Sequence, residues 1–357
     1  MQFAYKPQRG TSDATLTLID RITQHLDSSP NSYARILFID FTSAFNTMQP
    51  HLLIQRLIDL SVNGGFIRWI CDFLTNRPQK VFMFNTWSQE LVLNTGAPQG
   101  CVLSPLLFSV YTDEMQISIQ NAIVSLYKYA DDMALVALLR RENNLNDQIY
   151  FDQVLSLEHW CDSSHLLMNA GKTKELIVDL HKEPILTHQP VKVAGENVEV
   201  VESFKYLGTH IDKKLTFQEN TDLLVKKASQ RLYLLRKLCS FHVSEKVLET
   251  TYKSLIESII TFNITAWYGN LTVRNKTKLG RVVQTASKII GRPQTSLNDL
   301  YNRFLLRKAI LIVNDEIHPL NHHFNLLPSG RRYRVPRCRV NIYKNSFTPS
   351  AIAILNS

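Results

Sequence analysis

The chain has 357 residues, 45% of them hydrophobic and 20% charged, which excludes a disordered or collagenous protein and leaves room for two domains, or for one large domain with an appendage. Its N-terminus, MQFAYKPQRG, lacks the apolar stretch of a secretory signal, and the longest apolar run, Met133 to Leu139, is too short for a bilayer, so the chain is expected to be neither secreted nor membrane-bound. Net charge is +9 but unevenly spread: residues 1–210 hold 16 Lys+Arg against 22 Asp+Glu (−6), and residues 211–357 hold 24 against 9 (+15), so one half suits a metal site and the other a polyanion.

In chain order, Tyr33 to Asp40 reads as a buried strand, and Leu52, Leu53, Leu57 and Leu60 after Pro50 recur at helical spacing. Phe66 to Leu74 is a second helical stretch, stopped by Pro78. Lys80 to Phe84 with Leu91 to Leu93 predicts a hairpin around Asn85 to Ser88. Gly96-Ala97-Pro98-Gln99-Gly100 is irregular, and Ser104-Pro105 predicts a helix to about Ile119, with serine as cap and proline at its first position. Val124 to Tyr129 and Met133 to Leu138 form a hairpin with Asp131 and Asp132 at its tip. Thr173 to Asp179, Val191 to Val193, Val198 to Val201 and Phe204 to Ile211 read as strands, Gly195 turning between the middle pair. Past residue 215 the pattern is helical: Leu224, Ala228, Leu232, Leu235 and Leu238 share one face, and Leu279, Val282, Val283, Ala286, Ile289 and Ile290 another. The fold class is therefore α+β, with a domain boundary near 212–216.

Asp40 ends an apolar strand with no Lys or Arg within four residues, so the local sequence offers no counter-ion. A lone strand-end aspartate is commonly a turn acid or a helix cap, and a lone Asp-Asp a solvated turn. Together, apolar flanks and a second acidic strand favour a cation held between them. Hard carboxylate oxygens suit Mg²⁺, and two ions about 4 Å apart would serve nucleotidyl transfer. Five scattered cysteines without a CxxC pair signal neither disulfides nor a zinc ribbon, which suits a reducing, intracellular home, and His318, His322, His323 and Cys338 lack knuckle spacing, so no zinc is expected.

Phe38-Ile39-Asp40-Phe41-Thr42-Ser43-Ala44-Phe45-Asn46-Thr47, Gly96 to Pro105, Tyr129-Ala130-Asp131-Asp132 and Phe204-Lys205-Tyr206-Leu207-Gly208 resemble, in order and spacing, successive motifs of LINE-type (non-long-terminal-repeat) retrotransposon reverse transcriptases. Gln2 to Ala14 resembles their last fingers motif, and Leu327 to Tyr333 looks like vertebrate members. The resemblance implies a right-hand polymerase: a fingers remnant at 1–32, a palm at 33–212 with a finger-side hairpin at 80–94, a helical thumb at 213–300 and a basic C-terminal extension at 301–357.

It further implies an RNA-directed DNA polymerase that extends a DNA primer on an RNA template with dNTPs. Asp40, Asp131 and Asp132, with the Phe41 carbonyl, would hold two Mg²⁺, with Mn²⁺ as a substitute. Phe45 would exclude a ribose 2′-hydroxyl, although a core phenylalanine reads the same. Gln99, Gly100 and Arg9 would contact the incoming nucleotide. Lys172 would be a general acid for pyrophosphate, or else a solvated loop lysine. Tyr129, Phe204, Tyr206 and Gly208 would grip the primer, and Lys226, Lys227 and Arg231 would follow duplex phosphates. Arg331 to Lys344 reads as an RNA-binding segment or a disordered tail. The family's endonuclease and most of the fingers do not precede Gln2, so a truncated element is expected, in the nucleus or a cytoplasmic ribonucleoprotein. The rival reading is an inactive remnant that at most binds nucleic acid; a nuclease on the same acids would have no use for the Pro98-Gln99-Gly100 loop.

Overall fold

The computed structural model describes residues 1–116, 123–141, 144–181 and 188–357. The elements begin with α1 (Thr11–Ser28), β1 (Ser32–Ile39), β2 (Phe41–Thr42), α2 (Ala44–Thr47), α3 (Pro50–Asp59) and α4 (Gly64–Leu74). Next come β3 (Arg77–Gln79), β4 (Phe82–Met83), β5 (Thr86–Trp87), β6 (Leu91–Leu93), α5 (Leu103–Tyr111), β7 (Val124–Tyr129), β8 (Asp132–Arg140) and α6 (Asn144–Ser163). Short strands follow: β9 (Leu167–Met168), β10 (Lys174–Val178), β11 (Lys192–Val193), β12 (Glu196–Asn197), β13 (Glu199–Val201), β14 (Ser203–Tyr206) and β15 (Thr209–Asp212). The rest is helical: α7 (Gln218–Ser240), α8 (Glu245–Tyr252), α9 (Ser258–Ile260), α10 (Ile264–Trp267), α11 (Val273–Ile290), α12 (Leu297–Val313), α13 (Asn341–Lys344) and α14 (Phe347–Leu355). The expected α+β class holds.

Two compact units share these elements: Met1–Gly10, Arg35–Glu175 and Ile185–Val200 in one, and Thr11–Ala34, Leu176–Pro184 and Val201–Ser357 in the other. The first unit holds most of a five-stranded sheet ordered β13-β10-β1-β8-β7. β1 is buried along its whole length at the centre, as its apolar run requires. Its Arg35 is satisfied by Glu175, at 2.7 Å from Nε, and Glu175 also accepts from the Tyr150 hydroxyl at 2.8 Å. A buried charge left without such a partner would cost several kcal/mol, about 3–5.

Four local expectations are corrected. The 80–94 hairpin is two nested ladders, β3 with β6 and β4 with β5, because Phe84 and Asn85 take positive φ and turn the chain there. Ser104 lies inside the first turn of α5 instead of capping it, and its hydroxyl donates to the Pro98 carbonyl. That helix stops at Tyr111, a 3-10 turn follows at Asp113–Gln116, and the rest of its expected span to Ile119 lies outside the described residues. Gly195 turns β11 into β12, while β13 joins the main sheet.

In the second unit, α7 starts where Asp212 accepts backbone N–H groups from Lys214, Thr216 and Phe217. Ala228, Leu232 and Leu235 of α7 are buried, as are Leu279, Val282, Val283 and Ala286 of α11, on the faces the sequence assigned. α1 carries buried Asp13, Asp20 and Asp27 at seven-residue intervals, which puts them on one face. Asp13 meets Lys308 at 2.9 Å and His318 at 3.2 Å; Asp20 accepts from the Thr348 N–H; Asp27 accepts from the Arg339 and Val340 N–H groups. The C-terminal segment is thereby folded, contrary to the disordered-tail expectation: Asn356 also exchanges hydrogen bonds with the Tyr333 backbone in both directions, and Tyr343 and Phe347 are buried. Among the described residues no helix is long and apolar enough to cross a membrane.

Candidate active site

Sheet order brings the acids together. Asp40 follows directly on β1, and Asp132 opens β8, the neighbouring strand. β7 and β8 pair from Val124↔Ala137 to Tyr129↔Asp132, leaving Ala130 and Asp131 as a two-residue turn in which Ala130 takes φ 55°. Asp131 therefore projects from the tip.

Asp40 is fixed through its backbone. Its N–H donates to Thr173 Oγ1 at 3.3 Å, and its carbonyl accepts from the Asn169 N–H at 2.8 Å. The same loop is closed by Thr173 N–H and Lys172 N–H bonds to Asn169. Lys172 Nζ, which the sequence placed 132 positions away in the chain's numbering, comes within 3.7 Å of Asp40 Oδ2. The counter-ion missing from the local sequence is supplied by a loop after β9.

Electrostatically the site is strained. Removal from water, then the charges of Asp131 and Asp40, raise the Asp132 pKa above the ordinary carboxylate value. Asp40 Oδ2 is enclosed and has no hydrogen-bond partner. This enclosed oxygen lies beside two like-charged acids and has an exposed lysine, Lys172, at 3.7 Å and no hydrogen bond, a set of hard donors that a divalent ion would suit. The described residues do not form a ready-made cluster of three metal donors. Mg²⁺ does not need one, because it takes few protein carboxylates and completes its shell with water and phosphate oxygens. The residues present fit a divalent ion.

Around the acids, the Phe45 ring is half-buried and lies 5.1 Å from that of Phe108, in a tilted arrangement. The Gly96–Gly100 loop rests on α2: Gly96 N–H donates to the Met48 carbonyl and Ala97 N–H to the Phe45 carbonyl, at 2.7 and 2.8 Å. Gly96 has φ +71°, and a Cβ there would lie 2.7 Å from the Asn46 backbone, so glycine is required. Gly100 has φ +82° with open space around it. Gln99 is exposed beside a cleft of about 1090 Å³ lined also by Asn46, Arg77 and Gln79. Arg9 is half-buried in the N-terminal segment, which pairs with β7 through Phe3 N–H to Lys128 O. Tyr129 is half-buried.

The second unit holds the other expected site residues. β14 and β15 form a hairpin with Leu207-Gly208 at its turn, both at positive φ; the Tyr206 ring is buried and Phe204 half-buried, so the backbone and Lys205 face outward. Lys226 and Lys227 are exposed on α7, whereas Arg231 is half-buried and donates to the Leu255 carbonyl.

Sequence reasoning missed three neighbours of the site. Tyr5 feels the charge of Asp131, its pKa raised by burial, Tyr129 and Asp131. Lys128 is fully buried and hydrogen-bonded to Thr112, with its pKa lowered by burial to about 8. Asn46 accepts from Gln99 Nε2 at 3.0 Å. Alternation marks Lys128 as inward-facing in β7, a signal available in the sequence; the other two contacts have none.

A family model described as reverse transcriptase (RNA-dependent DNA polymerase) matches residues 1–211, and one described as alkylated DNA repair protein alkB homolog 8, N-terminal, matches residues 217–258. Curated relatives include a probable RNA-directed DNA polymerase from transposon BS of Drosophila melanogaster, 26% identical over 74% of this chain and 30% of the relative. The RNA-directed DNA polymerase from mobile element jockey of Drosophila funebris is 26% identical over 82% of this chain and 32% of the relative. The chain thus spans about a third of the length of these relatives. Among solved structures, apo telomerase from Candida tropicalis is similar at TM-score 0.41 and 12% identity, over 90% of this chain and 56% of that one. With the family's model covering more than half of its length, the chain belongs to the reverse transcriptase (RNA-dependent DNA polymerase) family.

Proposed function

We propose that this chain is the polymerase of a non-long-terminal-repeat retrotransposon, extending a DNA primer on an RNA template with dNTPs. The observation that carries the reading is the Asp40, Asp131 and Asp132 constellation, in which Asp40 Oδ2 is enclosed without a hydrogen bond and the Asp132 pKa is raised by burial and by the charges of Asp131 and Asp40. Reverse transcriptases use divalent metal ions; here Mg²⁺, with Mn²⁺ as a substitute, would be held by those three side chains and the Phe41 carbonyl. The ions supply activation of the primer hydroxyl and neutralise charge on the phosphates.

The chain's own residues do the rest. Asn169 and Thr173 hold the Asp40 backbone still, and Lys172 exchanges its Asp40 contact for the leaving pyrophosphate, to which it gives a proton. Phe45 blocks a ribose 2′-hydroxyl, and Gln99, Gly100 and Arg9 contact the incoming nucleotide. The 203–212 hairpin holds the primer through backbone, with Tyr129, Phe204, Tyr206 and Gly208 shaping it. Lys226 and Lys227 bind phosphates, and Arg231 supports their helix. In domain terms, residues 33–212 are the palm, 213–300 the thumb, 1–32 part of the fingers and 301–357 a basic extension. The Leu327–Tyr333 segment suggests a vertebrate-type element, acting in the nucleus or a ribonucleoprotein.

Primer extension on an RNA template with Mg²⁺ tests this. Extended primers that contain ribonucleotides only after Phe45→Ala support the reading. A folded chain that binds the hybrid without extending it is an inactive remnant, and shortened strands would instead mean a nuclease.

A further inference from the structure

Gln99 is exposed at the end of a loop, and an exposed amide is ordinarily free to rotate by half a turn and exchange its donor and acceptor ends. Here its Nε2 donates to Asn46 Oδ1 at 3.0 Å. Asn46 is anchored through its backbone on both sides. Its N–H bonds to the Ser43 carbonyl at 2.8 Å, its neighbour Phe45 accepts from Ala97, and its backbone fills the space that a side chain at Gly96 would occupy. The far end of the loop is tied by Ser104 Oγ to Pro98 O. Both residues line the same cleft.

We infer that Asn46 is a positioning residue that fixes the amide orientation of Gln99, so that Gln99 presents its carbonyl oxygen and its remaining N–H to the base pair of the incoming nucleotide. The inference rests on the polymerase reading and deepens it. As placed, the Asn46 amide turns its Oδ1 to Gln99 and takes the donor end of the Gln99 amide, which leaves Oε1 and one N–H of Gln99 for another partner. A typical intramolecular hydrogen bond contributes about 0.5–1.5 kcal/mol, so its loss is expected to weaken nucleotide binding roughly twofold to twelvefold.

The test has two arms on the full chain. In the first, a primer ending in a dideoxynucleotide is annealed to RNA, and the dNTP concentration that traps the ternary complex is read by gel mobility. In the second, KM and kcat for the dNTP are read by extension. Asn46→Leu is expected to raise the trapping concentration and KM by that factor with kcat little changed and with an unaltered melting temperature. Asn46→Asp, which retains an acceptor, is expected to restore wild-type values. Asn46→Leu added to Gln99→Leu is expected to have no further effect. Equal trapping by Asn46→Leu and wild type, additive losses in the double variant, or no rescue by Asn46→Asp would overturn the inference. Because trapping needs no chemistry, a wild-type chain that traps but does not extend would sink the polymerase reading while the inference is still decided. A wild-type chain that traps no nucleotide would overturn both.

Discussion

Asp13, Asp20 and Asp27 sit in one unit of the molecule and Asp40, Asp131 and Asp132 in the other, and the two sets of three carboxylates are treated in opposite ways. The first set lies seven residues apart on one helix, and the C-terminal segment answers each member with a cation or a backbone N–H. The second set is gathered from two strand ends and a hairpin tip, and its charges act on one another at Asp132; each set has one enclosed oxygen without a hydrogen bond, Asp20 Oδ2 with His323 at 3.5 Å and Asp40 Oδ2 with Lys172 at 3.7 Å. The same side chain is a clamp where a half-buried lysine and backbone N–H groups meet it, and a proposed metal ligand where its nearest cation is an exposed lysine.

The largest test of that contrast is Asp132→Asn. It is expected to lower single-turnover incorporation by on the order of 10³-fold, about 4 kcal/mol of barrier, while leaving the melting temperature unchanged or raised. A large fall in stability would mean that the two sets are alike.

Next is Asp13→Ala, which strands Lys308 and His318 in the second unit. A loss of about 3–5 kcal/mol in denaturant unfolding is expected, with incorporation per folded molecule preserved.

A pH series separates the members of the clamp. Burial raises Asp20 to about 6, and burial together with His322 lowers His323 to about 4. Asp20 has a folded pKa above its unfolded one, so it adds stability as pH falls from about 6 to 4. His323 has a folded pKa below its unfolded one, so it removes stability as pH falls from about 6.5 to 4. The two slopes oppose each other, and the wild type is expected to be nearly flat there. His323→Gln should expose the Asp20 slope, gaining about 3 kcal/mol on acidification, and Asp20→Asn should expose the reverse. Parallel melting-temperature profiles for both variants would contradict this.

The smallest effect is expected on α7. Lys226→Ala with Lys227→Ala should reduce the slope of log Kd against log salt for an RNA–DNA hybrid by about 2. Arg231→Ala, which loses its Leu255 contact, should lower stability by about 1 kcal/mol and leave that slope nearly unchanged.

How far these features could be read in advance follows from the range of the interactions. β1, β7, β8, α7 and α11 were legible because burial imposes a period on a single stretch of chain. The three metal-binding candidates were legible because strand ends and a hairpin tip are local. Lys172 near Asp40 and Asn46 against Gln99 are pairings between distant segments, and no local pattern records them. The C-terminal segment was misread for a related reason. Its arginines suggested a solvated tail, whereas Asp27 takes up backbone N–H groups, which every sequence has, and Tyr343 and Phe347 supply the burial.

Extension of a DNA primer on an RNA template, measured at equal folded concentration for wild type, Asp132→Asn and Asp13→Asn, tests the division most directly. The account expects extension by the wild type and by Asp13→Asn below its lowered melting temperature, and none by Asp132→Asn. Extension by Asp132→Asn at the wild-type rate, or its loss in a folded Asp13→Asn, would contradict it.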